Sequence, residues 1–310
     1  MSDYYKKRVE YINNWPDSTP FDAELEYKEL CDNFEKRNGR LPFTPMKMWE
    51  LVDDNYNRVL SNIIESLEDL PYKPNHSFYY LFMAFDYYTK KVYNTTNTTV
   101  NIKKFAHSIM NDPSVNNQVI INNILKELFG CLPLSTCKYF LKKINYDGQV
   151  RRRVVTNENN DVNNPIKAYL ELIDFIINNY NYTDDKDRRN ASRLCYLIFR
   201  NNTIKLGVKS MNIDNDLKLQ FLISGIIYTS RNDFLHGSSM ASTKSSYTSL
   251  TSYASNHYCF LALYTLLMLL LIEKSLSDNT IKNNYYTELY RVLQSNITDY
   301  KNLFGKIIIT

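Results

Sequence analysis

Residues 219–237, LQFLISGIIYTSRNDFLHG, decide the class of fold. Leu219, Leu222, Ile223, Ile226 and Ile227 recur at three- and four-residue spacing, which is the stripe that one face of an α-helix buries. Polar residues follow, and Gly237 offers the left-handed cap that commonly stops a helix. Helical periods continue on either side. Upstream, Ile166, Leu170, Ile173 and Ile177 make one stripe after Pro165, and Ala191, Leu194, Cys195 and Ile198 make another. Downstream, a polar connector over 238–249 leads to a long apolar helix over 250–277. Asp278, Asn279 and Thr280 then cap a last helix that runs to about residue 303. The terminal Ile307, Ile308 and Ile309 can fray or pack.

Composition points the same way. Seven glycines in 310 residues leave too few tight turns for a many-stranded sandwich or barrel. They are also too scattered for a phosphate-binding loop, which excludes P-loop and dinucleotide-binding enzymes. An all-α helical bundle is expected. Asparagine is about one residue in eight and tyrosine numbers 26, the bias of an AT-rich genome. The net charge is only +4, so any nucleic-acid binding must rely on local clusters of basic residues. Five cysteines without C-x-x-C spacing argue against a zinc site or a disulfide framework, and neither a metal nor a cofactor is expected. The opening MSDYYKKRVEYI lacks an apolar leader segment. The most apolar run, Phe260 to Ile272, suits a buried core helix better than a membrane span. A cytoplasmic protein without membrane contact is predicted.

In the first half, paired prolines punctuate helix-length segments. Thr44 and Pro45 read as N-cap and first residue of a helix over 45–69, and an aromatic helix is expected over 76–94. Shorter helices are expected near 101–111, 117–129 and 135–144. Residues 145–164 are polar and rich in asparagine, and they read as a loop or linker with room for a short strand at Val154 and Val155. This break divides the chain into residues 1–150 and 151–310.

Four histidines limit the acid–base candidates. His76 and His107 read as structural, and His257, on the apolar helix, as a core or interface histidine hydrogen-bonded to a neighbour. His236 differs, because Arg231 and Asn232 precede it at a helix end. Asn232 and His236, four apart, share a face. Arg231 lies about 140° from His236 on an ideal helix, a gap that its length partly covers. Arg, Asn and His without a carboxylate cluster suit phosphodiester transfer in RNA, where the ribose 2′-OH is the nucleophile. His236 would move protons, Arg231 would stabilise charge on the phosphoryl oxygens, and Asn232 would orient the histidine or hold the phosphate. The alternative is a purely structural helix C-terminus, with His236 favouring the macrodipole.

Two basic features could hold RNA. Residues 138–153, KYFLKKINYDGQVRRR, offer Lys142, Lys143, Arg151, Arg152 and Arg153 for phosphates, interleaved with aromatic rings for unpaired bases. Arg189, Arg193, Tyr196 and Arg200 share a helical face that reads more simply as solvated.

Residues 226–237, IIYTSRNDFLHG, resemble the signature of the HEPN superfamily: Arg, a polar residue, further residues, then His at a helix end in an all-α bundle. The resemblance is specific over 212–275 and plausible over 165–300. It implies a C-terminal HEPN-like domain over 151–310 behind an N-terminal helical region of unknown role. A second partition starts that domain near residue 71, with an insertion at 95–164. It further implies a metal-independent endoribonuclease with Arg231, Asn232 and His236 catalytic, acting in phage defence or as a toxin with an antitoxin or regulatory partner. The active form would be a homodimer with a composite site, because one histidine supplies only one of two proton-moving groups. Its expected interface is the exposed faces of the helices near 212–232 and 250–277. The rival readings are a catalytically silent HEPN module that binds RNA or a partner, and a helical scaffold.

Overall fold

The computed structural model describes residues 4–112, 114–157, 161, 163, 165–236, 244 and 248–309. Over these residues the protein is all-α apart from one hairpin. The first seven helices are α1 (Tyr4–Asn13), α2 (Asp22–Asn38), α3 (Asp54–Glu68), α4 (Pro74–Tyr93), α5 (Thr98–Met110), α6 (Val115–Gly130) and α7 (Leu134–Tyr146). Next come α8 (Gly148–Val155), α9 (Lys167–Asn179), α10 (Asp185–Arg200) and the strands β1 (Thr203–Leu206) and β2 (Lys209–Asn212). Then follow α11 (Asn215–Gln220), a π-helical stretch Phe221–Ile227, α12 (Tyr228–Leu235), α13 (Leu250–Ser275) and α14 (Asn279–Phe304). A 3-10 turn, Gly305–Ile309, ends the described chain, with Ile308 buried and Ile309 exposed.

Short polar side chains start many of these helices. The side chains of Asp53, Asn97, Ser114, Asp147, Asp184, Asp214 and Asp278 each accept a backbone N–H of the first turn. Each such cap contributes about 1 kcal/mol by satisfying a donor that the helix leaves open.

Three expectations change. The helix expected over 45–69 begins only at Asp54. Ahead of it the backbone is held by side chains: Asn296 Oδ1 accepts the Thr44 amide and Asn296 Nδ2 donates to the Thr44 carbonyl, both at 2.9 Å. The Met46 amide donates to the Tyr264 hydroxyl at 2.9 Å. Groups satisfied in this way need no helix. Second, the break at 145–164 contains α8, whose Val150, Val154 and Val155 are buried, so the short strand is absent there. Third, β1 and β2 were not anticipated. Ile204 and Leu206 are buried and alternate with exposed neighbours, and Gly207 turns the chain in the left-handed region at φ 63°.

A single apolar core joins residues from Tyr27 to Ile308, so position 150 does not separate two cores. Helix α13 runs through it. Its length and composition would allow a membrane crossing, but 89% of its most apolar window is buried inside the protein. α4 and α14 pack along it, so its apolar surface is covered within the chain. Each fully buried leucine or phenylalanine on it contributes roughly 1.5–3 kcal/mol.

His257, on α13, is 1% exposed among the rings of Phe260, Tyr300 and Phe304, and its Nδ1 has no hydrogen-bond partner. Burial pushes its pKa down to about 4. Between that value and the ordinary value of about 6.5, the unfolded chain binds a proton that the folded chain does not. Stability contributed here is therefore complete above about pH 6.5 and falls toward pH 4, by about 3 kcal/mol at most. His257→Phe is expected to flatten the fall in denaturation midpoint over that window. An unchanged pH slope in the variant would show that His257 is protonated in the fold.

Candidate functional site

The motif is carried by a continuous rod made of α11, the π-helical stretch and α12. In the π stretch the Tyr228 amide donates to the Ile223 carbonyl, five residues back. All residues from Phe221 to Ile227 are buried. Gly225 is required by close approach: a Cβ there would sit 2.3 Å from Phe140 Cε2 of α7. One extra residue in a turn shifts the helix phase by about 100°, so the polar end of α12 emerges on a different face from the buried stripe.

Arg153, from α8, braces this turn. Its Nε donates to the Ser224 carbonyl at 2.8 Å, and its Nη2 to Thr229 Oγ1 at 2.5 Å. Its guanidinium lies 4.7 Å from the Tyr228 ring centroid. It is buried, and burial lowers its pKa. Of the arginines expected to meet RNA, Arg153 is thus turned inward, and its hydrogen bonds go to the turn that holds the motif.

At the end of the rod, Arg231 Nη1 donates to Asn232 Oδ1 at 2.9 Å. The Arg231 guanidinium rests against the rings of Phe82 and Tyr228, at 5.4 and 6.0 Å. It lines a largely apolar cleft of about 560 Å³ with Tyr80, Met83, Phe234 and Leu235. His236 is exposed just past the last turn, where its amide donates to the Asn232 carbonyl at 3.0 Å. Among the described residues its imidazole makes no hydrogen bond. Arg231 and Asn232 thus meet through their side chains, while His236 is tied to Asn232 only through the backbone. The proposed cap at Gly237 and most of the connector over 238–249 lie outside the described residues.

Two residues inside the motif position it and were missed in the sequence. Asp233 accepts from the Tyr139 hydroxyl at 3.0 Å and from Lys143 Nζ at 2.6 Å, tying α12 to α7. Phe234 stacks on Tyr79 of α4, with centroids 3.7 Å apart and planes at 18°. A carboxylate and a ring among exposed polar residues carry no sequence signal of their own. Their role follows only from which helices lie beside α12.

The other basic candidates divide. Lys143 is engaged with Asp233. Lys142 and Arg152 are exposed and Arg151 is half-buried around the α7–α8 corner. There Lys142, Tyr146 and Gln149 line one concavity, and Arg151 and Arg152 the next. On α10, Arg200 donates to the Gly130 and Leu132 carbonyls at 2.8 and 3.0 Å, whereas Arg189 and Arg193 are exposed. His76 Nδ1 lies 3.9 Å from an Asp69 carboxylate oxygen, on the rim of the Arg231 cleft. Comparison of the chain with protein-family models, with curated proteins and with solved structures gives no match in any of the three.

Proposed function

We propose that the protein is a metal-independent endoribonuclease of the HEPN kind. The observation that carries this reading is the Arg231–Asn232 pair at the end of α12, with its cation held on aromatic rings at the mouth of a cleft and an unengaged histidine just beyond it. His236 takes the proton from a ribose 2′-OH, and the freed oxygen attacks the adjacent phosphorus. Arg231, oriented by Asn232, stabilises the charge that grows on the phosphoryl oxygens. The P–O5′ bond breaks, the leaving oxygen is protonated, and the products are a 2′,3′-cyclic phosphate and a 5′-hydroxyl.

A second copy of the chain supplies the group that protonates the leaving oxygen. Support comes from the single histidine of the motif, which no side-chain hydrogen bond joins to Arg231 or Asn232, and from the exposed apolar side chains of Met83, Phe234 and Leu235 beside Arg231. The HEPN resemblance adds the expectation of pairing, and of a role in phage defence or as a toxin with an antitoxin or regulatory partner. The packing of α4 on α13 suits the partition in which the HEPN-like unit starts near residue 71. A silent HEPN module that only binds RNA is favoured by one observation: no described residue fixes the tautomer of His236.

Cleavage of single-stranded RNA in EDTA, yielding 2′,3′-cyclic phosphate ends, tests the proposal. Binding without cleavage selects the silent module. Light scattering should report a dimer, and mixing inactive Arg231→Ala and His236→Ala chains should restore cleavage; a fully active monomer refutes the composite site. Replacing Arg151 and Arg152 with Gln should weaken RNA binding and lower the salt slope by about 1.4, about 0.7 per lost phosphate contact on a single strand. An unchanged slope assigns the α7–α8 corner to solvent.

A further inference from the structure

On the other side of α12 from the Arg231 cleft lies a second cavity, of about 310 Å³, lined from α4, α7, α12 and α13. We infer that this cavity is a nucleobase subsite, and that it sets which base the protein accepts beside the scissile phosphate. The inference deepens the ribonuclease reading and rests on it for the second clause only.

The chemistry of the lining selects the ligand class. Among the described residues, no Lys, Arg or His lines the cavity. Its one charged lining residue, Asp233, is already met by Lys143 and the Tyr139 hydroxyl. An anionic ligand would find no cation here, and a cationic one would find a carboxylate that is already neutralised. Hydroxyls of Ser135, Thr136 and Ser255 and the amide of Asn256 offer both donors and acceptors, as the edge of a neutral heterocycle requires. Tyr79 and Tyr139 add flat aromatic surface for stacking. The volume is at the lower end of the roughly 300–1,000 Å³ of small-molecule sites.

One lining group is left without a partner by the protein. Thr136 is 2% exposed, and its Oγ1 makes no hydrogen bond. Its neighbour differs: Ser135 Oγ shares a 2.6 Å hydrogen bond with Ser255 Oγ. That oxygen is closed to solvent as it stands, and a rotation about χ1 would turn it to a base or water bound in the cavity, which would complete it. Tyr79 lines both this cavity and the Arg231 cleft, so the two sites adjoin at one side chain. A strand whose phosphate meets Arg231 would have its neighbouring base at this cavity.

The test is binding first and cleavage second. Calorimetric titration of the 310-residue His236→Ala protein with uridine, cytidine, adenosine and guanosine, and separately with glucose, reads the cavity without turnover. At least one nucleoside should bind, with at least tenfold preference over the weakest. Thr136→Val should lower that affinity at least tenfold while keeping or raising the melting temperature, since it removes an unpaired hydroxyl. Ser255→Ala, nearer the rim, provides the same readout if Thr136→Val fails to fold. No nucleoside binding, equal affinity for all four, or binding of glucose instead overturns the subsite. If a free nucleoside binds but a single-stranded oligonucleotide of the same base neither competes for the cavity nor is cleaved with that preference, the base comes from a free nucleoside and the specificity clause fails. If nucleosides bind and wild-type protein cleaves no RNA, the ribonuclease reading fails and the subsite stands.

Discussion

His236→Ala is expected to lower the rate of RNA cleavage about 100-fold or more while leaving the melting temperature within a degree or two of wild type. The imidazole is exposed and makes no hydrogen bond among the described residues, so its loss removes no contact that the fold uses. Arg231→Ala should cost a similar factor, about 100- to 1,000-fold, because it deletes the cation that the proposed mechanism sets at the phosphate. Its packing on Phe82 and Tyr228 adds a stability cost of about 0.5–1 kcal/mol at a partly exposed site. Arg231→Lys should recover little, since an ammonium cannot both bind Asn232 and present a planar fork to the phosphate. Single-turnover cleavage beside a thermal melt separates these effects. Full activity in folded His236→Ala would remove the histidine from the mechanism.

The helical class was legible in the sequence because the stripes at 166–177 and 219–227 are set by local period, and Asp278 is a local cap. What escaped depends on tertiary partners. The Thr44–Pro45 start looked like a helix because the side chain that occupies its backbone, Asn296, lies 252 residues away. The π turn is invisible, since Leu222, Ile223, Ile226 and Ile227 satisfy an α-helical period as well. The candidate site was legible as Arg231, Asn232 and His236 but not as a geometry. That the Arg231 cation rests on Phe82 of α4, and that Asp233 and Phe234 moor the helix, depend on the positions of α4 and α7.

The arginine run shows the same limit most sharply, and it carries the largest expected effect on stability. In sequence Arg151, Arg152 and Arg153 are equivalent. On α8 the helical phase puts Arg153 inside with Val150 and Val154, and leaves Arg152 in solvent. Arg153→Ala would leave a cavity beside the Tyr228 ring, strip Thr229 Oγ1 of a partner and remove a charge-assisted bond from the Ser224 carbonyl. Two such losses at about 1–3 kcal/mol each, partly relieved by relaxation, give a destabilisation of about 3 kcal/mol. Arg153→Met keeps most of the volume and spares the cost of burying a charge, so it should lose about half as much. Arg152→Gln, one residue away, should lie within about 0.5 kcal/mol of wild type. Because Arg153 braces the turn directly before Arg231, its loss should also reduce cleavage in molecules that remain folded, by disturbing where α12 points rather than by removing a reacting group. Urea denaturation midpoints for the three variants, with RNA affinity measured in parallel, test the assignment. If Arg153→Ala proved as stable as wild type yet bound RNA more weakly, the guanidinium would be a phosphate contact after all, and the brace on the π turn would have to come from the packing of Phe140 against Gly225 alone.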